Sequence, residues 1–239
     1  MRPFARVCGV KISRISLGTV LDHIALFALY ARSHHTSTTF LVNAYSLALA
    51  TRDPEHRANL KDAYCLADGW PIAWLAKTDR IAGADLMLAA ARDPHTSRLR
   101  HVILGGYGVA LDAAQAQWKV VPDRTGLTAP FIPEHTLPED LLQWAQIPCD
   151  VLWVALGCPK QEAWVTEHRH EIPAKVVIGI GAAVDFLSGR VQRAPRWVQS
   201  IGMEWAYRIY AEPHRWRRQM DGVLGLTWAL LTEPFPWVR

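Results

Sequence analysis

The sequence predicts an α/β fold, a parallel sheet core with helices on both faces, followed by a helical C-terminal appendage rich in arginine and tryptophan. Three observations predict it. Short apolar runs at 101–104, 150–155 and 175–180 each end in glycine, at Gly105-Gly106, Gly157 and Gly181. Helical patterns follow the first two runs, over 109–120 and 161–168. Beyond about residue 196 the strand pattern stops, and helical stretches carrying arginine and tryptophan take over. A repeated strand, glycine turn and helix is the signature of parallel strands buried on both faces. Such sheets bind ligands where loops leave the carboxyl ends of the strands.

The elements before residue 101 are read in chain order. Residues 7–15 alternate like a strand or hairpin, and 17–30 carry apolar residues at helical spacing. A β-rich run at 38–42 ends at Asn43. A helix is expected over 45–60, then a strand at 64–67 ending in Asp68-Gly69. Further helices are expected around 71–77 and 84–91. With 239 residues, 50% hydrophobic and 20% charged, the chain buries a sizeable core and is not a disordered protein. The expected division is a core over 1–195 and an appendage over 196–239.

Charge is unevenly placed. Residues 190–239 hold eight arginines against four acids, a surplus of +4 that equals the net charge of the whole chain. Trp197, Trp205, Trp216, Trp228 and Trp237 lie in the same stretch. Arginine with tryptophan fits an anionic, partly apolar partner, a description met by an acidic lipid surface and also by nucleic acid. Neither a signal peptide nor an apolar run of about 20 residues is visible. Cys8, Cys65, Cys149 and Cys158 form no CxxC pair, and reduced thiols in a cytoplasmic protein are expected.

Each motif has two readings. Gly105-Gly106-Tyr107-Gly108 is a tight turn, or a place where backbone amides approach a phosphate. Asp68-Gly69 taken alone is an ordinary turn dipeptide. At a strand end facing a cleft, the same aspartate can accept a proton from a sugar hydroxyl. Gly157-Cys158-Pro159-Lys160-Gln161-Glu162 joins a strand-ending glycine to a helix N-terminus, where anions are favoured. Glu162 there reads equally as a first-turn acid supporting the helix dipole. The arginine run reads as a solvated basic face or as a set of phosphate forks. His168 and His170, two apart, do not share a helix face and read as surface residues. No DxD, GxSxG or Walker sequence occurs. No metal and no cofactor is expected.

Taken together, these segments resemble the WecG/TagA/CpsF glycosyltransferase family from about residue 7 to 218. The resemblance is carried by Val42-Asn43-Ala44, Ala67-Asp68-Gly69, Arg80-Ile81-Ala82-Gly83-Ala84-Asp85-Leu86 and Leu104-Gly105-Gly106. It continues through Ala155-Leu156-Gly157 into Pro159-Lys160-Gln161-Glu162, then Gly179-Ile180-Gly181-Ala182 with Asp185-Phe186. Gly189 through Arg193-Ala194-Pro195 follows, and the last block is Glu204-Trp205-Ala206-Tyr207-Arg208 leading to Glu212-Pro213-His214-Arg215. The resemblance implies a Rossmann-like core. It also implies inverting, metal-independent transfer of a hexose or N-acetylhexosamine, ManNAc-type or glucose-type. The donor is a UDP-sugar and the acceptor a polyprenyl-diphosphate-linked saccharide, in cell-surface polysaccharide synthesis.

By the same resemblance Asp68 is the general base, and Asn43, Arg80 and Gln161 are its companions in the site. Some members carry a threonine two residues before the asparagine; Leu41 stands there, so a hydroxyl contact is lost. An aspartate with an unperturbed pKa of about 3.9 is ionised and ready as a base. The departing diphosphate is expected to meet Arg80, Lys160 and the amides of Gly105, Gly106 and Gly181. Arg208, Arg215 and Arg218 of the appendage are expected to close over it or to hold the lipid's own diphosphate. A peripheral location on the cytoplasmic face of the inner membrane follows, and homo-oligomerisation is compatible with the resemblance. A Rossmann oxidoreductase is the first rival, against which stands the lack of a GxGxxG followed by an acid. A nucleic-acid-binding protein is the second; it leaves Asp68 and the PKQE block unexplained, so no nucleic acid partner is expected.

Overall fold

The computed structural model describes residues 3–31, 35–106, 127–128 and 141–232. The chain opens with a hairpin, β1 (Phe4–Val7) and β2 (Val10–Ser13), joined by Cys8 and Gly9 at φ 49° and 76°. Positive φ at both central residues is what a two-residue type I′ hairpin loop demands. Helix α1 (Leu17–Tyr30) starts where the Ser16 hydroxyl accepts the Thr19 N–H at 3.2 Å. Strand β3 (Ser37–Val42) is buried at every residue, as a central parallel strand must be.

The helix expected over 45–60 is two helices, α2 (Ala44–Arg52) and α3 (Pro54–Asn59). Proline disfavours the α conformation in the residue before it, and Asp53 sits extended at φ −120°, ψ 101°. Its carboxylate then caps α3 by accepting the Glu55 and His56 N–H groups. Next come β4 (Tyr64–Ala67), α4 (Trp70–Ala76), α5 (Gly83–Arg92), β5 (His101–Leu104), β6 (Leu127–Thr128) and α6 (Leu141–Ala145). The rest runs β7 (Cys149–Val154), α7 (Lys160–His168), β8 (Ala174–Gly179), α8 (Ala183–Leu187), α9 (Arg196–Ser200), α10 (Glu204–Ala211) and α11 (Trp216–Thr232). The helix expected over 109–120 lies outside the described residues, as do Tyr107 and Gly108. His168 is half-buried rather than a free surface group: its ring tilts against Trp164 and its Nδ1 lies 3.1 Å from Glu171.

The strands form one eight-stranded sheet in the order β1-β2-β4-β3-β8-β7-β5-β6. Among the described strands only the edge strand β1 pairs antiparallel; every other pairing is parallel. Side chains alternate between two cores. Phe40 and Val42 point to one, with Leu47 of α2, Trp164 of α7 and Leu226 of α11. Leu41 points to the other, with Ile24 of α1, Met87 of α5 and Val184 of α8. The fold is therefore α/β with helices on both faces and a helical C-terminal region. That region is packed onto the core. A Cβ on Gly222 would lie 2.9 Å from the Tyr45 nitrogen, and one on Gly225 would lie 2.7 Å from Ala48 Cβ. Only glycine lets α11 approach α2 this closely.

Candidate active site

At the carboxyl ends of β4, β3, β8, β7 and β5, five neighbours in the sheet, lies a cavity of about 740 Å³. The chain leaves β5 toward β6 on one side and leaves β7 toward β8 on the other, so a crevice opens between them. Helices α10 and α11 close the opposite wall with Glu204, Arg208 and Arg218.

Asp68 directly follows β4, and its N–H donates to the Val42 carbonyl at 2.9 Å. Gly69, at φ 130°, turns the chain into α4 in a conformation that a side chain resists. The turn reading and the site reading of Asp68-Gly69 thus describe the same geometry: the turn is what sets the carboxylate into the cavity wall. The expected ordinary pKa is corrected. Burial pushes Asp68 up to about 6, the Glu204 charge adds to the rise, and Arg208, Arg80 and Arg193 oppose it.

Beside Asp68 stands a closed ring of alternating charges. Arg80 Nη1 reaches Glu204 at 3.1 Å and its Nη2 reaches Asp85 at 3.5 Å. Arg193 forks onto Asp85 at 2.5 and 2.7 Å, and its Nε lies 3.5 Å from Glu204. Arg80 was expected to meet diphosphate as a cation. Its charge is instead offset by two acids, and its guanidinium also lies 5.9 Å from the Trp70 ring. The pairing with Arg193 holds Asp85 below the usual carboxylate range, against the burial that opposes it.

The other expected residues fall as follows. Asn43 caps α2, its Oδ1 accepting the Ser46 N–H at 3.1 Å, and it lines the cavity. Gln161 is 2% exposed and spans two groups: its Oε1 accepts the Gly181 N–H at 2.9 Å and its Nε2 donates to Glu162 at 3.0 Å. The Gly181 amide is therefore already used, which removes it as a phosphate donor, and Gln161 acts as a tether between the β7 and β8 loops. Gly105 and Gly106 both sit at φ 92° on the cavity wall. A Cβ on Gly105 would lie 3.0 Å from the Ala155 carbonyl, so close packing of two strand ends alone accounts for that glycine.

Lys160, the first residue of α7, is exposed at the rim. Arg208 lies 4.8 Å from the Phe186 ring and 3.5 Å from Glu212. Its Nε is the atom that faces Glu212 in that ion pair, whereas its Nη2 is buried without a hydrogen-bond partner and remains a donor for an anion. Arg218 lies over the Tyr45 ring at 4.5 Å and also faces the cavity. The backbone of Arg215 ends a short 3₁₀ turn, and its side chain lies outside the described residues. Residue-by-residue reading missed the ring of Asp85, Arg193 and Glu204. All three stand in the blocks that carried the resemblance, but only the fold pairs them.

A parallel sheet with a charged hollow at its strand ends defines the class of α/β protein whose ligands enter at the strand carboxyl ends. The chain belongs to the glycosyl transferase WecG/TagA/CpsF family, whose sequence model matches residues 5–237. It is also similar to the N-acetylglucosaminyldiphosphoundecaprenol N-acetyl-beta-D-mannosaminyltransferase of Bacillus subtilis (strain 168), 38% identical over 96 residues. That alignment spans 40% of this chain and 37% of the relative. Family membership displaces the oxidoreductase and nucleic-acid readings.

Proposed function

We propose that the chain is an inverting, metal-independent glycosyltransferase. It moves a hexose or N-acetylhexosamine from a UDP-sugar to a polyprenyl-diphosphate-linked saccharide during cell-surface polysaccharide synthesis. The observation that carries the reading is one carboxylate, Asp68, with a pKa of about 6 in a cavity that also holds cationic side chains. A base titrating near the operating pH combines a useful ionised fraction with real proton affinity. Family membership supports the reaction class, and the activity named for the Bacillus subtilis relative supports a lipid-diphosphate acceptor and a ManNAc-type sugar.

In the proposed step, the acceptor oxygen attacks the donor C1 as its proton passes to Asp68. The bond from C1 to the UDP oxygen breaks, and UDP leaves with the electron pair from the opposite face. The vacant Nη2 of Arg208, together with Lys160 and Arg218, meets the charge that grows on the diphosphate. Asn43, whose Oδ1 is spent on the helix cap, offers its amide NH₂ to a sugar hydroxyl. Residues 196–239 act as an appendage that holds the protein peripherally on the cytoplasmic face of the inner membrane. Among the described residues no helix is long and apolar enough to cross a membrane. Tyr210, Trp228 and Leu231 expose large apolar side chains there.

Asp68→Asn tests the base. Turnover of UDP-ManNAc or UDP-glucose on a lipid-diphosphate-sugar acceptor, followed by UDP release, is expected to fall by about 10²–10⁴-fold with UDP affinity retained. Near-normal turnover removes Asp68 from the role. In the same assay added Mg²⁺ or Mn²⁺ is expected to change nothing; rescue of a chelator-treated enzyme by either ion overturns the metal-independent step.

A further inference from the structure

Beside Lys160 and Gln161, where Cys158 also lines the cavity, three groups with metal-ligand chemistry converge. His56 comes from α3, Cys158 from the turn after β7, and Glu162 from the first turn of α7. One ligand atom from each lies within 4.8 Å of the other two. Cys158 Sγ is 3.8 Å from His56 Nε2. The sulfur–nitrogen edge of a tetrahedral zinc site, built from Zn–S of about 2.3 Å and Zn–N of about 2.0 Å, is about 3.6 Å. That edge is nearly at ligand spacing, while the separations to Glu162 are bounded at 4.8 Å and close further on binding.

The unexplained group is Glu162. It is 0% exposed, and its Oε1 accepts from Gln161 Nε2 at 3.0 Å. Its own backbone N–H and the weakly donating Cys158 thiol also act on the carboxylate, yet Oε2 keeps no hydrogen-bond partner of good geometry. Arg218 acts on it only as a more distant charge, without an ion pair among the described residues. A buried carboxylate with one oxygen unsatisfied is expensive, and native proteins resolve such a group with a partner, a water or an ion. A divalent cation resolves this one. With a thiolate and a carboxylate as ligands the assembly is neutral overall, and the imidazole adds a third bond at no cost in charge.

We propose that His56, Cys158 and Glu162 form a structural metal site for zinc. Binding displaces the Cys158 thiol proton to solvent and leaves a sulfur–metal bond. Ligation takes His56 Nε2 out of its 3.0 Å hydrogen bond with the Ser46 hydroxyl, and the freed hydroxyl holds a water in the fourth position. The mixed sulfur, nitrogen and oxygen set selects zinc over Mg²⁺ and Mn²⁺, which prefer oxygen alone. The sequence alone led to the expectation of no metal, because no DxD occurs and His168 and His170 do not share a helix face; His56 lies on a separate element, far in sequence from Cys158 and Glu162. The ion would tie α3 to the loop bearing Lys160 and Gln161, and through Ser46 to α2, whose first turn Asn43 caps. It would thus hold two walls of the cavity in register without touching the reacting atoms.

Cobalt is the probe, because it takes zinc's geometry and absorbs visibly. The full chain, stripped by chelator under reducing conditions, is titrated with Co²⁺. The expected result is stoichiometric binding with tetrahedral visible bands and a thiolate-to-cobalt charge-transfer band, both erased by Zn²⁺. Cys158→Ser is expected to lose the charge-transfer band, and Glu162→Gln to weaken Co²⁺ binding by about ten-fold or more. Absence of the charge-transfer band in the folded wild-type chain overturns the site. So does the same band in Cys158→Ser, or unchanged Co²⁺ affinity in Glu162→Gln. If Cys158→Ser does not fold, the wild-type and Glu162→Gln spectra decide by themselves. Asp68→Asn is expected to keep the cobalt spectrum, so failure of the base assignment and failure of the metal site read out separately.

Discussion

Asp68 shows how one residue acquires a chemistry its type does not have in water. Its pKa of about 6 comes first from desolvation and then from the Glu204 charge, with three arginines holding it back from going higher. The direction has a kinetic consequence. A general base works only when deprotonated, so kcat/KM is expected to be level above the pKa. It should fall about ten-fold per pH unit below about pH 6. An unshifted aspartate would put that limb near pH 4. A pH–rate profile of the free enzyme distinguishes the two, and an acid limb near 4 sinks the assignment of the raised pKa to the base. Gln161 shows the converse. Its amide bridges Gly181 and Glu162, so replacing it is expected to loosen two loops as well as change the cavity wall.

At the scale of elements, the charge ring joins parts of the chain that are far apart. Arg80 precedes α5, Asp85 lies in its first turn, Arg193 precedes α9, and Glu204 begins α10. The ring is partly buried, so its pairs are screened less than surface pairs, and removal of one member leaves others uncompensated. Glu204→Gln deletes a negative charge that raises the Asp68 pKa and frees Arg80, which lowers it. Both changes act in the same direction. The acid limb of the rate profile is therefore expected to move to lower pH, with several-fold lower turnover as α10 loses its tie to the core. A role confined to stability would lower the rate without moving the limb, so an unmoved limb in the folded variant removes Glu204 from the electrostatics of the site.

The molecule as a whole presents two unlike surfaces. The cavity is lined by strand ends and by the inner faces of α10 and α11. The outer side of α11 exposes Leu224, Trp228 and Leu231 at 61%, 70% and 78%, and their spacing of four and three residues sets them on one helix face. Tyr210 of α10 is also exposed. Leu226 and Ala229 of the same helix α11 are buried in the core. In the proposed function, one helix both closes the cavity and offers an apolar face to a lipid surface. Replacing Trp228 and Leu231 together with alanine removes apolar area worth roughly 25 cal/mol per Å². Sedimentation with anionic vesicles is expected to fall by about ten-fold or more, while turnover of a short-chain soluble acceptor persists. Undiminished sedimentation moves the membrane contact elsewhere.

The sequence by itself determined the layer architecture. Apolar runs ending in glycine, over 101–104, 150–155 and 175–180, became β5, β7 and β8 within a residue of the expected bounds, because a strand buried on both faces admits little else. It also located Asp68 and Asn43 just past strand ends and Lys160 at the helix N-terminus after one, which is where a parallel sheet puts its ligand. The break at Asp53-Pro54 was legible too and was passed over, although proline's effect on the residue before it is local. What only the tertiary structure decided is how charges and donors are shared. Glu204 offsets Arg80 across 124 residues, the Gly181 amide is spent on Gln161, the Asp68 pKa rises, and His56 meets Cys158 across 102 residues. Hydrophobic periodicity is a local property written every few residues, whereas electrostatic partnership depends on distances of a few ångströms that exist only once the sheet has assembled.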